Sequence, residues 1–475
     1  MLVLLAAALV ATAPAWASTN LLPRRLALHG LALAVLGAAL PRRRGQLAPA
    51  WAAFLALLVG GWALSPVREA SLPGLLDALA AVGVVLGVAA APLPRRALAQ
   101  VLVGVALLGA AVGLVQQWLP FDWGAATRPA GLFASRVTAG GVMAAALPLT
   151  CLVLRRRPGW LVPALAVEAA FLVSTRTRGA WAAGALALLA VALLAPALRR
   201  ALALGLLGAL ALTASLTPGP RLRWTSPSPY ADSAAGLVGA RVGDRLDLWK
   251  ETARLAATRP LLGFGAGSFE AAFAARATLP ASLAGVRVES PHDEPLRLAF
   301  ELGLPALAAR LVAARPGRRR AALPTRLLQV ALGALAVCGL SAKTGTDPPT
   351  LALGCVLLGL VLRTPRRPGR ARWPLAGLAV AVAGLALALD APAVLASRRL
   401  AEARTAQRQG DLRRAWELAE PALGPGRDLG AWLWALDLLD DAGDRTRARA
   451  LAERALKAFP DHPVLLRHAA PPGTL

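Results

Sequence analysis

The sequence predicts an all-α, polytopic membrane bundle of about 12–13 transmembrane helices, and three observations carry that prediction. Of its 475 residues, 57% are hydrophobic and only 16% charged, with a mean hydropathy of +0.56. A soluble domain of this size needs a more polar surface, so the surplus apolar side chains must face lipid. The apolar residues fall in runs of roughly 15 to 22, each long enough to span a bilayer or nearly so. Basic clusters occupy every second connection between those runs.

Taken in order, the runs lie near 2–18, 26–40, 47–64, 73–92, 97–118, 137–154, 159–174, 179–197, 201–216, 296–314, 327–342, 350–362 and 373–389. The first ends in Ala15-Trp16-Ala17-Ser18, which resembles a signal-peptidase site. It lacks the basic start of a signal peptide and is read as a retained helix. The inward connections carry Arg42-Arg43-Arg44, Arg95-Arg96, Arg155-Arg156-Arg157, Arg199-Arg200 and the stretches 315–326 and 363–372. Intervening loops such as 65–72 and 343–349 carry one basic residue each. A missed span would flip every later loop, so the alternation supports the threading. The positive-inside rule then puts the N-terminus in the cytoplasm and the C-terminus outside. Arg24 and Arg25 fall on the wrong side.

The formal net charge of +26 has the same topological origin. No aromatic-rich basic face accompanies it, so no nucleic-acid partner is expected. Cys151, Cys338 and Cys355 lie inside apolar runs without disulfide or metal-ligand spacing. No metal site or cofactor is expected, and no Walker, dinucleotide or HExxH motif occurs.

Residues 1–392 form the expected membrane domain, with a long outward loop at about 217–295. Loops of that length inside a compact protein are commonly functional. This one has near-helical spacing of Leu246, Trp249, Ala253 and Leu255. Residues 393–475 form the expected extracytoplasmic tail. Gly410-Asp411 followed by Arg414, Ala415, Leu418, Ala419, Glu420, Ala422 and Leu423 returns 33 residues later. The echo is Gly443-Asp444 followed by Arg447, Ala448, Leu451, Ala452, Glu453, Ala455 and Leu456. That period fits tetratricopeptide-type hairpins or an ordinary helical hairpin. Two units are few for independent stability, so the tail should pack on the membrane domain or a protein partner.

Few residues are candidates for chemistry. Of four histidines, His29 lies in a span, His462 and His468 in the tail, and His292 in the long loop just before a span. A loop histidine can act as a base near neutral pH or be merely solvated. Arg176 and Arg178 sit on the outward side, where the topological preference would not put them. Arginine's planar fork suits phosphate, although snorkelling to headgroups explains the same placement. Arg245 opens the stretch Arg245-Leu246-Asp247-Leu248-Trp249-Lys250, and a salt bridge to a neighbouring acid is its plainer reading.

Four blocks resemble the O-antigen ligase and polymerase (Wzy/WaaL-like) family of membrane glycosyltransferases. Arg128-Pro129-Ala130-Gly131-Leu132-Phe133 with Thr138-Ala139-Gly140 is similar to its "R-x-s-G-t-F…A-G" segment. Ser174-Thr175-Arg176-Thr177-Arg178-Gly179-Ala180 resembles its "S-x-S-R-G-A" turn. Arg245 to Trp249, with Pro260-Leu261-Leu262-Gly263-Phe264-Gly265-Ala266-Gly267-Ser268-Phe269, resembles "R-x-x-x-W…P-L-x-G-x-G-x-G-x-F". Ser290-Pro291-His292 with Glu301-Leu302-Gly303 resembles "S-x-H-N-x-Y-L…E-L-G". The blocks come in the family's order across most of 97–310.

The resemblance implies a GT-C-like, metal-independent glycosyltransferase of the bacterial cytoplasmic membrane. It would use a polyprenyl-diphosphate-linked glycan donor and a glycan, lipid or protein acceptor, as in lipopolysaccharide and other polysaccharide biosynthesis. It implies Arg178 and Arg245 on the donor diphosphate and His292 on the acceptor hydroxyl, with Arg176 and Arg128 as further diphosphate contacts. The family's "H-N-x-Y" continues here as His292-Asp293-Glu294-Pro295, and two adjoining acids would favour a protonated, anion-pairing imidazole. The competing readings are a transporter, with His29, Asp77 and Glu168 as intramembrane ionisable groups, and a non-catalytic scaffold of a surface-polysaccharide pathway.

Overall fold

A computed structural model describes residues 21–39, 49–90, 94–116, 130–133, 135–216, 242–278, 288–314, 322–341, 347–362, 374–423, 429–459 and 462–470. Arg128 and the first expected span lie outside these residues. Among those described, the regular structure is helical, without strands.

The helices are α1 (Leu21–Ala39), α2 (Pro49–Ala63), α3 (Arg68–Ala90), α4 (Arg95–Val115), α5 (Arg136–Leu154) and α6 (Pro158–Ser174). There follow α7 (Arg178–Leu194), α8 (Arg199–Leu216), α9 (Val242–Thr258), α10 (Phe269–Ala274), α11 (Glu294–Ala313) and α12 (Leu323–Gly339). The chain continues through α13 (Pro348–Leu362), α14 (Pro374–Arg408), α15 (Leu412–Ala419), α16 (Leu429–Asp441), α17 (Arg445–Ala458) and α18 (Pro463–Ala469). Among the described residues, four helices are long and apolar enough to cross a membrane: α3, α4, α5 and the segment Pro196–Ser215. Shorter apolar helices at α2, α6, α7, α12, α13 and Arg25–Leu36 match expected spans, at the lower limit of length.

The centre of the bundle is α5, which packs against α4, α6, α7, α12 and α13. Its Thr138-Ala139-Gly140-Gly141 start explains why. A Cβ on Gly140 would lie 2.8 Å from the Ala180 Cβ of α7, and one on Gly141 would lie 3.4 Å from Thr350 Cγ2 of α13. Hydrogen at these positions lets the helix axes approach closely, which is how helices associate where water cannot drive them together.

The structure adds detail to three expectations. The run 296–314 is not one straight helix: Gly303 has φ +77° and breaks α11 in two. The boundary at 392/393 falls inside a continuous helix, because α14 runs 35 residues from the last apolar run into the tail. In the long loop, α9 forms where helical spacing predicted it, yet Leu248, Thr252 and Leu255 are buried while Leu246 and Ala253 are exposed. The buried face is set by the neighbours of α9, which packs against α11.

The outlying Arg25 has a structural reason. Its Nε donates to Asp77 Oδ1 of α3 at 2.9 Å, and His29 Nε2 lies 3.0 Å from the same oxygen. The two expected intramembrane groups His29 and Asp77 are therefore joined, while Glu168 Oε1 accepts from Thr150 Oγ1 at 2.8 Å.

The tail repeat is visible in the backbone. Gly410 and Gly443 both have positive φ, and the adjoining Asp411 and Asp444 each cap a helix by accepting from the N–H three residues on, both at 3.0 Å. The apolar residues of the tail belong to one cluster with Leu248, Phe264, Phe269 and Phe300 of the loop region, so the tail packs on the rest of the chain.

Candidate functional site

Helix ends and the long loop gather at one end of the bundle. Near the end of α13, a Cβ on Gly359 would lie 2.8 Å from both Val85 O and Val88 Cβ near the end of α3, so those two helix ends are neighbours. Thr350 at the start of α13 neighbours Gly141 near the start of α5, and the α6–α7 turn packs there too. At the start of α3, Gly74 lies against the backbone of Ala266 and Gly267 in the loop.

The glycine-rich stretch 263–268 is held by the break in α11. Pro305 has no N–H to give to Glu301 O four residues back. Leu304 turns its N–H to Pro260 O instead, at 2.8 Å. Two carbonyls of α11 are thereby released, and the loop uses both: Phe264 N–H donates to Phe300 O at 3.0 Å and Gly265 N–H to Glu301 O at 2.8 Å. Gly263, Gly265 and Gly267 have φ of +60°, +102° and +70°, conformations that side chains resist. Phe264 stacks on Phe300 with ring centroids 4.6 Å apart. This block therefore seats the loop.

Under it lies a buried ionic network. Arg297 Nε and Nη2 grip both oxygens of Glu294 at 3.1 and 2.5 Å, and Nη1 donates to Glu301 Oε2 at 2.6 Å. Gly267 N–H adds a bond to the same Glu301 oxygen at 3.0 Å. All three side chains are buried, so removing Arg297 would leave two carboxylates uncompensated at a cost of about 3–5 kcal/mol. Sequence reasoning missed this network, although Glu294, Arg297 and Glu301 stand at the i, i+3 and i+4 spacings of helix ion pairs.

His292 is half-buried and sits just before α11 with φ +55°. Its N–H donates to Ser290 Oγ at 3.2 Å, and the carbonyl of Pro291 accepts from Trp249 Nε1 at 2.8 Å. The helix that carries Arg245 is thus bonded to the His292 turn, with Arg245 one helical turn before Trp249 on the same face. Arg245 is exposed, and among the described residues no acid pairs with it. The plainer salt-bridge reading is therefore not the arrangement found. Asp293, where the resembling motif has asparagine, caps α11 by accepting from Leu296 N–H at 2.8 Å. Aspartate and asparagine are equally good at that task. Glu294 is engaged by Arg297, and Pro295 occupies the first turn, where proline is tolerated.

Arg176 and Arg178 flank the α6–α7 turn, both exposed. Arg176 follows the end of α6 with φ +52°, in the position where helices commonly place glycine. Thr175 Oγ1 bonds Leu172 O at 2.7 Å and fixes the turn, while Gly179 packs directly on Ser341 at the end of α12. Among the described residues Arg176 and His292 are the two non-glycine residues with positive φ. Backbone strain of this kind collects at functional sites. The Trp249–Pro291 hydrogen bond joins the helix of Arg245 to the His292 turn. Arg176 and Arg178 lie on the turn that packs at the start of α5, beside the start of α13.

Gly131 and Phe133 are also structural. Gln116 exchanges two hydrogen bonds with the Gly131 backbone, at 2.9 and 3.1 Å, and the Phe133 ring fills the space left by Gly109.

Glu251 on α9 accepts from Arg254 at 2.6 and 2.8 Å and from Thr278 N–H at 2.7 Å, tying α9 to the segment after α10. The Arg254 hydrogen bonds, with Thr278 helping, hold its carboxyl below the ordinary value of 4.5.

Residues 163–311 match the family model described as O-Antigen ligase, a span that includes Arg176, Arg178, Arg245 and His292. No curated protein matches the chain.

Proposed function

We propose, from the premise that residues 163–311 are an O-antigen ligase-family domain, that this chain is a membrane glycosyltransferase. It moves a glycan from a polyprenyl-diphosphate donor to an acceptor hydroxyl at the outer face of a bacterial cytoplasmic membrane. The acceptor oxygen attacks the anomeric carbon, the bond from that carbon to the diphosphate breaks, and the diphosphate leaves with the electron pair. His292 takes the acceptor proton. Arg178 and Arg245 neutralise the leaving diphosphate, with Arg176 and Arg128 as further contacts, so the step needs no metal. The tail, with its tetratricopeptide-like repeat, lies outside and offers a surface to a protein partner.

One observation supports this reading above the rest. The Trp249 indole donates to Pro291 O at 2.8 Å, bonding the helix of Arg245 to the turn of His292. The ionisable groups that a transporter would use inside the bundle are instead engaged with one another or with Thr150.

The test is transfer of a polyprenyl-diphosphate-linked oligosaccharide to an acceptor glycolipid by the purified protein. His292→Ala, Arg178→Ala and Arg245→Ala should each abolish transfer while inserting normally into membranes. Full transfer by all three variants would remove the assignment.

A further inference from the structure

A second cationic surface lies beside α2, built on the α2–α3 turn and the loop rather than on the Arg178 turn. The α2–α3 turn and the loop segment 259–264 are fastened together there. Arg259 Nη2 donates to Leu64 O at 2.8 Å, and Ser65 Oγ donates to Phe264 O at 2.5 Å. The guanidinium carbons of Arg259 and Arg276 lie 5.6 and 5.5 Å from the centroid of the Phe264 ring. Arg68 lies over the Trp62 ring at 4.2 Å, and Trp62 Nε1 donates to Arg68 O at 3.2 Å. Among the described residues no acid pairs with Arg68, Arg259 or Arg276, and each guanidinium has more donors than these contacts use.

Around these arginines the exposed side chains are apolar. Leu64, Leu261 and Leu304 are 62%, 68% and 58% exposed. Leu261 and Leu304 are neighbours through the Leu304 N–H bond to Pro260 O, and Leu262 O approaches Gly61 of α2. Part of the long loop therefore sits level with the ends of apolar helices, with its leucines turned outward. Its irregular backbone is bonded to α11, as backbone near a bilayer must be. Exposed leucines beside arginines that no acid pairs with match one kind of molecule, an acyl chain under a phosphate.

We propose that Arg68, Arg259 and Arg276 bind the phosphate of an anionic phospholipid in the outer leaflet, whose chains lie over Leu64, Leu261 and Leu304. The side of the membrane rests on the topology proposed above; the site itself is separate from the transfer site. Aromatic rings and backbone carbonyls fix the guanidinium positions beforehand, so little side-chain freedom is lost on binding. The lipid in turn would hold the loop segment that bears Phe264 against α2.

The experiment uses the full chain in nanodiscs of phosphatidylcholine with graded phosphatidylglycerol, and native mass spectrometry to count retained lipids. The wild type should retain phosphatidylglycerol in preference to phosphatidylcholine. That preference should fall about fivefold for each arginine removed, hence on the order of twentyfold in Arg259→Gln/Arg276→Gln. Arg178→Gln, in the proposed donor site, should leave it unchanged. If the double variant fails to fold, the exposed single variant Arg68→Gln gives the same reading on a smaller scale. Equal retention of the two lipids by the wild type would overturn the proposal, as would an unchanged preference in the variants. Displacement of phosphatidylglycerol by millimolar inorganic phosphate would also overturn it, because the leucines would then contribute nothing. None of these outcomes alters the transfer result for His292→Ala, so the two readings fail separately.

Discussion

Replacing Trp249 with phenylalanine removes one N–H and keeps an aromatic ring in the same space. In the wild type that N–H satisfies Pro291 O at 2.8 Å, next to a histidine held at φ +55°. Left-handed backbone costs a residue with a side chain about 1–2 kcal/mol. A hydrogen bond whose acceptor is left buried when it is lost costs about 1–3 kcal/mol. The bond is therefore of the same size as the strain it opposes, and its loss should let the turn relax. A shift of about 1.4 kcal/mol lowers the ratio of turns with His292 in place to relaxed turns tenfold. The expected result is a kcat about tenfold lower with the KM for the lipid-linked donor nearly unchanged, since Arg178 and Arg245 are intact. Arg245→Lys should instead raise the donor KM. Initial rates at varied donor concentration, on protein that elutes as a folded species, separate these effects. A Trp249→Phe enzyme with wild-type kcat, or one whose loss lies wholly in KM, would refute the reasoning that Trp249 positions His292.

Arg176→Gly should raise the melting temperature, because glycine adopts φ +52° at a saving of about 1 kcal/mol, and should weaken donor binding if the guanidinium meets phosphate. Differential scanning fluorimetry and the donor KM together check this; a more stable variant with unchanged KM would make Arg176 a bystander. Glu251, with its carboxyl held below 4.5, stabilises the loop at pH above that value and stops doing so as pH falls through its depressed pKa. Proteolysis within the 242–278 segment should therefore increase reversibly in acid, and Glu251→Gln should show the acid pattern already at neutral pH.

The helices were legible because apolar runs and basic connections obey separate rules that agree. The 33-residue echo in the tail was legible for a similar reason: Gly410 and Gly443 are required at left-handed positions, and Asp411 and Asp444 cap the helices that begin beside them. The role of Asp293 was not legible, since exchanging asparagine for aspartate looks like a change of charge and is in fact conservation of a cap. Arg25 looked like a flaw in the threading because its partner Asp77 lies 52 residues away. Sequence spacing reports neighbours along a helix, and pairs between helices carry no such signature. For the same reason Trp249 could be read as part of a motif, while its bond to Pro291 could not be foreseen.

The break in α11 sets a schedule for making this protein. Phe264 and Gly265 cannot satisfy their N–H groups until Phe300 and Glu301 have been synthesised and Gly303 has bent the chain. Bacterial synthesis at about 5–20 residues per second puts a few seconds between the two. During that interval Phe264, Phe269 and Phe273, all destined for burial, wait exposed outside a half-built bundle. Delaying the arrival of α11, for example by slow codons between positions 279 and 300, should therefore lower the yield of inserted protein without changing a single residue of it.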